Sequence, residues 1–197
     1  MKTTMMRMFV ALPLSDPLHL RLAEIQKQLR RRCPEGSVRW VNPDDIHLTL
    51  FFIGDALSTR VASIQEALSV VARNAPAFEL EVKGLGAFPN ARRPRVIWVG
   101  LAEPTGRLAL LHRAVNEALA QVGFKPDERP FHPHLTLGRV GRRTFKEDLQ
   151  HIEKVLGSTE VGTLGISEAT QLVLFQSVLG PSGAHYTPLK RFPLGSA

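Results

Sequence analysis

Hydrophobic positions along this 197-residue chain follow two periods. Leu18, Leu22, Ile25 and Leu29 recur at the spacing of one helix face directly after "SDP", where Ser15 or Asp16 can cap and Pro17 can open the first turn. Val61, Ile64, Leu68 and Val71 predict a second helix, and Leu108, Leu111, Val115 and Leu119 a third. Phe145, Leu149 and Ile152 predict a fourth, opened by the capping box "TFKE". Between them lie runs that predict strands: "MFVAL", "IHLTLFFI", "FELEVKGL", "RVIWVGL", "HLTLGRV" and "ATQLVLF". Helices mixed with turn-separated strands, without low-complexity linkers, predict an α+β fold; the sequence leaves parallel crossovers open.

The pattern also repeats. At an offset of 87 residues, the separation of His47 and His134, the residues His47, Leu48, Thr49, Leu50 and Gly54 match His134, Leu135, Thr136, Leu137 and Gly141. Pro17 then falls on Pro104, "MFVAL" falls near "RVIWV", and the helices after the two prolines coincide. This predicts two copies of a strand, helix, HLTL strand, helix unit, and hence a single bilobal domain over residues 1–197 with its lobes facing each other.

Side chains alternate along a strand, so His47 shares a face with Thr49 and His134 with Thr136, while Leu48, Leu50, Leu135 and Leu137 turn to the core. One His-x-Thr on a strand is ordinarily a half-buried histidine beside a hydrogen-bonded threonine. Two copies have no packing use that apolar or β-branched residues would not serve as well. They have a chemical one. Imidazoles on either side of a phosphoryl group act as base and acid near neutral pH, and threonine hydroxyls donate to the phosphoryl oxygens. Parity turns Arg139, and Phe52 in the corresponding slot, away from the histidines. Arg139 reaches the site only if its strand ends or bulges at Gly138.

Charge adds a preference without an identity. Lys and Arg number 25 against 18 Asp and Glu, a net +7, and the arginines cluster at Arg30 to Arg32, at Arg92, Arg93 and Arg95, and at Arg142 and Arg143. Such groups attract polyanions, and equally serve as solvated faces. The lone Cys33 excludes an internal disulfide and has no zinc-ligand spacing around it. No apolar stretch approaches the roughly 20 residues of a bilayer span, and "MKTTMMRMFVALPL" lacks the features of a signal peptide. A cytoplasmic location with no membrane and no obligate protein partner is the expectation.

Across nearly its whole length the sequence resembles the 2H phosphoesterases, and within them the RNA 2',3'-cyclic phosphodiesterases once called 2'-5' RNA ligases. The resemblance rests on "RMFVALPL", "RWVNPDDIHLTLFFIG", "RPFHPHLTLGR" and "LFQSVLGPSGAHYTPLKRFPL", with Gly183, Tyr186, Leu189 and Phe192 in the family's order. It implies a bilobal α+β fold with two antiparallel sheets lining a groove and helices outside, and no metal or other cofactor. It implies His47 as proton donor, His134 as proton acceptor, Thr49 and Thr136 as phosphate binders and Arg139 as a further phosphate contact. The implied substrate is RNA ending in a 2',3'-cyclic phosphate, or a related cyclic nucleotide, opened to a 2'-phosphate.

Two other readings stay open. His132, His134 and His47, with Asp45 as a carboxylate ligand, could hold a metal, or the basic groove could bind RNA ends without turnover. Of the remaining histidines, His19, His112 and His151 are expected on the surface. Phe9 and Tyr186 are divided between core and groove.

Overall fold

The structure is a computed structural model that describes residues 4–126, 129–180 and 183–195. The periodic segments form α1 (Asp16–Arg32), α2 (Val61–Asn74), α3 (Arg107–Gln121) and α4 (Lys146–Gly157). Each buries its apolar stripe, with Leu22, Ile64, Val115 and Ile152 fully enclosed. The expected capping box does not form. Phe145 occupies the N-cap of α4 with its ring exposed, and the Thr144 hydroxyl donates instead to the Gly141 carbonyl at 2.9 Å. Ser15 likewise caps α1 by position without a side-chain hydrogen bond. No helix among the described residues is long and apolar enough to cross a membrane.

The strands are β1 (Met5–Leu12), β2 (Val38–Trp40), β3 (Leu48–Leu57), β4 (Phe78–Phe88), β5 (Val96–Ala102), β6 (His134–Val140), β7 (Thr163–Ala169), β8 (Gln171–Gly180) and β9 (Gly183–Pro193). The run "ATQLVLF" is divided at Thr170: its start ends β7 and its remainder begins β8. The pattern also misses β2, which has three residues, and β9, whose Pro188 is tolerated because the strand is a sheet edge.

All ladders between strands are antiparallel, in the order β7-β4-β5-β6-β3-β1-β8-β9, with β2 on β6. The two sheets implied by the resemblance are therefore the two halves of one curled sheet. They are joined at a single register pair, Leu48 with Leu135. Those two leucines are equivalent under the 87-residue offset, so a local twofold axis passes between them. Both are buried, each contributing about 1.5–3 kcal/mol of apolar burial.

Neither half is contiguous in sequence. β4 follows α2 but pairs with β5, whereas β8 follows α4 and β7 but pairs with β1. The helices cross in the same way: α1 packs on β7 and α4, and α3 packs on β3 and α2. Each half of the sheet is thus built and backed by both repeats, which ties the halves into one core.

Candidate active site

The antiparallel register through Leu48 and Leu135 places His47 opposite Thr136 and Thr49 opposite His134. With the leucines buried behind the sheet, these four side chains share the open face. They line one cleft of about 420 Å³. Neither threonine hydroxyl has a hydrogen-bond partner among the described residues, so both are available to a ligand.

The histidines are held alike. His47 Nδ1 lies 2.7 Å from the Asp45 carbonyl, and His134 Nδ1 lies 2.7 Å from the His132 carbonyl. A carbonyl accepts only, so each Nδ1 carries a proton, and Nε2 is left as the nitrogen that exchanges protons with the cleft. Burial pushes the His47 pKa down to about 4, with the Asp45 carbonyl opposing the shift and nearby His19 adding to it. Burial also lowers His134, against the His132 carbonyl; the positive charges of Arg139 and His132 lower it further.

Aromatic rings account for that burial. Phe9 stacks on His47 with centroids 4.7 Å apart, Tyr186 meets it edge-on at 5.2 Å, and Phe175 lies at 6.0 Å. Across the cleft, Phe88 meets His134 edge-on at 4.8 Å. Phe9 and Tyr186 thus belong to the site, and Phe88 and Phe175 are additions to the residues read from sequence. The 87-residue offset relates Phe88 to Phe175, a signal that periodicity and motif searching pass over. Because β4 and β8 trade halves, each phenylalanine serves the other repeat's histidine.

Arg139 lies on the histidine face, contrary to simple strand parity. On β6, Ile97 faces Gly138 but Trp98 faces Thr136, so Leu137 is an extra, bulged residue. Both Leu137 and Gly138 turn inward, and Arg139 emerges beside Thr136 in the cleft. β3 bulges at the equivalent Leu50: Phe51 is buried, and Phe52 enters the cleft 54% exposed. Buried Gln26 braces the β6 bulge, its Nε2 donating to the Leu137 carbonyl at 2.7 Å and to the Val41 carbonyl at 2.8 Å.

Gly138 is also closely packed, since β2 pairs beside it on β6. A Cβ there would lie 2.7 Å from Val38 Cγ1 and 3.0 Å from Trp40 Cε3. Gly138→Ala is therefore expected to cost about 1–3 kcal/mol of stability by overpacking. Denaturant unfolding measures this, and an unchanged midpoint would show that β2 moves aside freely.

The histidines expected on the surface are only partly there. His19 Nδ1 bonds the Pro43 carbonyl at 2.8 Å, which secures the turn before His47, and His112 stacks on Phe131 at 3.8 Å. Exposed His151 bonds the Arg32 carbonyl at the end of α1. The ring of His132 is not among the cleft-lining side chains, and no three His, Cys, Asp or Glu residues among those described converge as metal ligands.

A family model described as LigT like Phosphoesterase matches the chain twice, over residues 12–98 and 99–186. A Methanothermobacter thermautotrophicus protein named RNA 2',3'-cyclic phosphodiesterase is 33% identical over 188 residues, 95% of this chain and 98% of that one. A protein of the same name from Archaeoglobus fulgidus is 35% identical over 187 residues, 95% and 99% of the two chains. Among solved structures, E. coli LigT complexed with 3'-AMP aligns with a TM-score of 0.73 at 26% identity, over 97% of this chain and 99% of that one. A Thermus thermophilus protein, at 24% identity and a TM-score of 0.80 over 97% and 99%, shares the fold. Twofold matching to the family model, relatives similar from end to end and a common antiparallel architecture agree: this chain belongs to the LigT-like family of 2H phosphoesterases.

Proposed function

We propose that the protein is an RNA 2',3'-cyclic phosphodiesterase, acting through His47 and His134 to leave a 2'-phosphomonoester. The observation that carries this reading is the pair of imidazoles on one cleft, each fixed through Nδ1 and each with Nε2 unused. Residues 1–197 are read as one bilobal domain whose two units each supply a histidine and a threonine, working in the cytoplasm.

The cyclic phosphate sits between the rings, its oxygens accepting from the Thr49 and Thr136 hydroxyls and the Arg139 guanidinium. Water attacks phosphorus in line with the 3' oxygen, and His134 Nε2 takes the water proton. The P–O3' bond breaks as His47 Nε2 delivers a proton to the leaving oxygen. One water is consumed, and solvent exchange restores both rings. With an RNA 5'-hydroxyl in place of water, the same groups would form a 2'-5' linkage, so weak ligation is chemically allowed.

The lowered pKa values fit half of this assignment directly. A histidine below its ordinary value is neutral at pH 7, as a base must be. His47, at about 4, is neutral too in the free protein. Its proton arrives with the substrate, because a phosphodiester anion beside the ring favours imidazolium.

Purified protein incubated with adenosine 2',3'-cyclic phosphate is expected to give the 2'-monophosphate as main product by phosphorus NMR, at a rate unchanged by EDTA. A 3'-monophosphate would mean that the other ester oxygen leaves. Loss of activity in EDTA with recovery in zinc or manganese would replace the two-histidine mechanism by a metal-assisted one.

A further inference from the structure

The cleft is symmetric in its histidines and threonines but not in its charge. Arg39 on β2 lies directly opposite Arg139 on β6, and both side chains are exposed and line the cleft. Like charges paired across a ladder destabilise it. Neither arginine has an ion pair or side-chain hydrogen bond among the described residues; Asp45, the carboxylate on the same wall, pairs with neither.

The other side differs. Phe52 stands where Arg139 has its equivalent, and the neighbouring Arg7 lies over that ring at 4.8 Å with Asp55 3.7 Å away. The position equivalent to Arg39 is Pro126. Among the described residues that line the cleft, the positive charge without a partner is therefore on the β2–β6 side. It continues past the end of β6 in exposed Arg142 and Arg143.

A cyclic phosphodiester carries one negative charge, already met by Arg139 and two hydroxyls in the mechanism above. A second guanidinium one strand away calls for a second anion. A mononucleotide cyclic phosphate has none, but an RNA end has one in the linkage 5' to its last nucleotide. Resting on the phosphodiesterase reading, we infer that Arg39 binds that penultimate phosphate, so that the site selects RNA ends over free cyclic mononucleotides. The RNA strand leaves the cleft over β2, a strand with no counterpart on the other side of the pseudo-twofold among the described residues.

The test compares kcat/KM for adenosine 2',3'-cyclic phosphate with that for the adenylyl-adenosine dinucleotide bearing the same end. Wild type is expected to prefer the dinucleotide by about tenfold or more, the effect of one charge-assisted contact. In Arg39→Ala and Arg39→Gln the loss on the dinucleotide exceeds the loss on the mononucleotide by a similar factor. The salt dependence of the dinucleotide reaction, plotted as log against log, becomes shallower by about 0.7, as for one lost phosphate contact on a single strand. Arg39→Lys keeps that salt slope.

Equal losses on both substrates would place Arg39 at the reacting phosphate and overturn the inference, as would an unaffected dinucleotide reaction. If wild type turns over neither substrate, the phosphodiesterase reading has failed, and Arg39 is judged by equilibrium binding. Adenylyl-adenosine 3'-monophosphate should then bind wild type more tightly than 3'-AMP does, and Arg39→Ala should remove the difference. No difference in wild type, or an unchanged one in the variant, overturns the inference.

Discussion

His47→Ala and His134→Ala are each expected to lose about 10²–10⁴-fold in kcat on a 2',3'-cyclic phosphate, with the double variant hardly slower than the worse single one. The non-additivity follows from the mechanism: once either proton transfer fails, the remaining imidazole has no complementary partner. Each variant should also lose one limb of the pH profile. Without His47 the residual rate rises as His134 deprotonates and does not fall again. Without His134 it falls as His47 loses its proton.

For wild type, kcat/KM reports the free protein, in which both histidines lie below their ordinary value and His47 at about 4. The bell should therefore peak on the acid side of the ordinary histidine value. The kcat profile, which reports the bound complex, should shift upward because the substrate anion stabilises imidazolium. A full bell retained in both single variants, or multiplicative losses in the double, would remove these residues as base and acid.

Folding sets the lower limit of that measurement. A His47 pKa lowered in the fold stabilises the protein fully above the unfolded value near 6.5, and that contribution is lost as pH falls towards and through about 4. Circular dichroism at each pH separates unfolding from protonation of His47 and His134.

Thr49→Val and Thr136→Val should each slow turnover by about tenfold to a thousandfold, the effect of removing one preorganised donor from developing negative charge. Valine keeps the β-branched shape on the strand, and neither hydroxyl bonds another described residue, so little stability depends on them. Thermal unfolding with kcat/KM on the folded fraction checks both parts. Reduced stability with unchanged specific activity would assign the hydroxyls to packing instead.

Helix faces, most strands and the repeat at 87 residues are readable because each is a periodicity within one segment or an identity between two. The His-x-Thr pairs are readable for the same reason, since alternation along a few residues sets which face they share. The rings around His47 come from β1, β8 and β9, with Phe175 and Tyr186 each more than a hundred residues from His47 in sequence, so no local pattern announces them.

Arg139 marks the boundary between the two kinds of information. Counted along the strand, it faces away from the histidines. It faces the cleft because Leu137 bulges, with its carbonyl taken by Gln26 of α1 and the Val41 amide and its neighbour Gly138 packed beside β2. The sequence by itself determined most of the elements, the doubled motif and which side chains share a face with each motif histidine, since these follow from side-chain order along a strand or helix. Tertiary structure alone decided which repeat's rings enclose each histidine, where the bulges fall and why positive charge gathers on one side. Those depend on pairings between distant segments, whose register no single segment encodes.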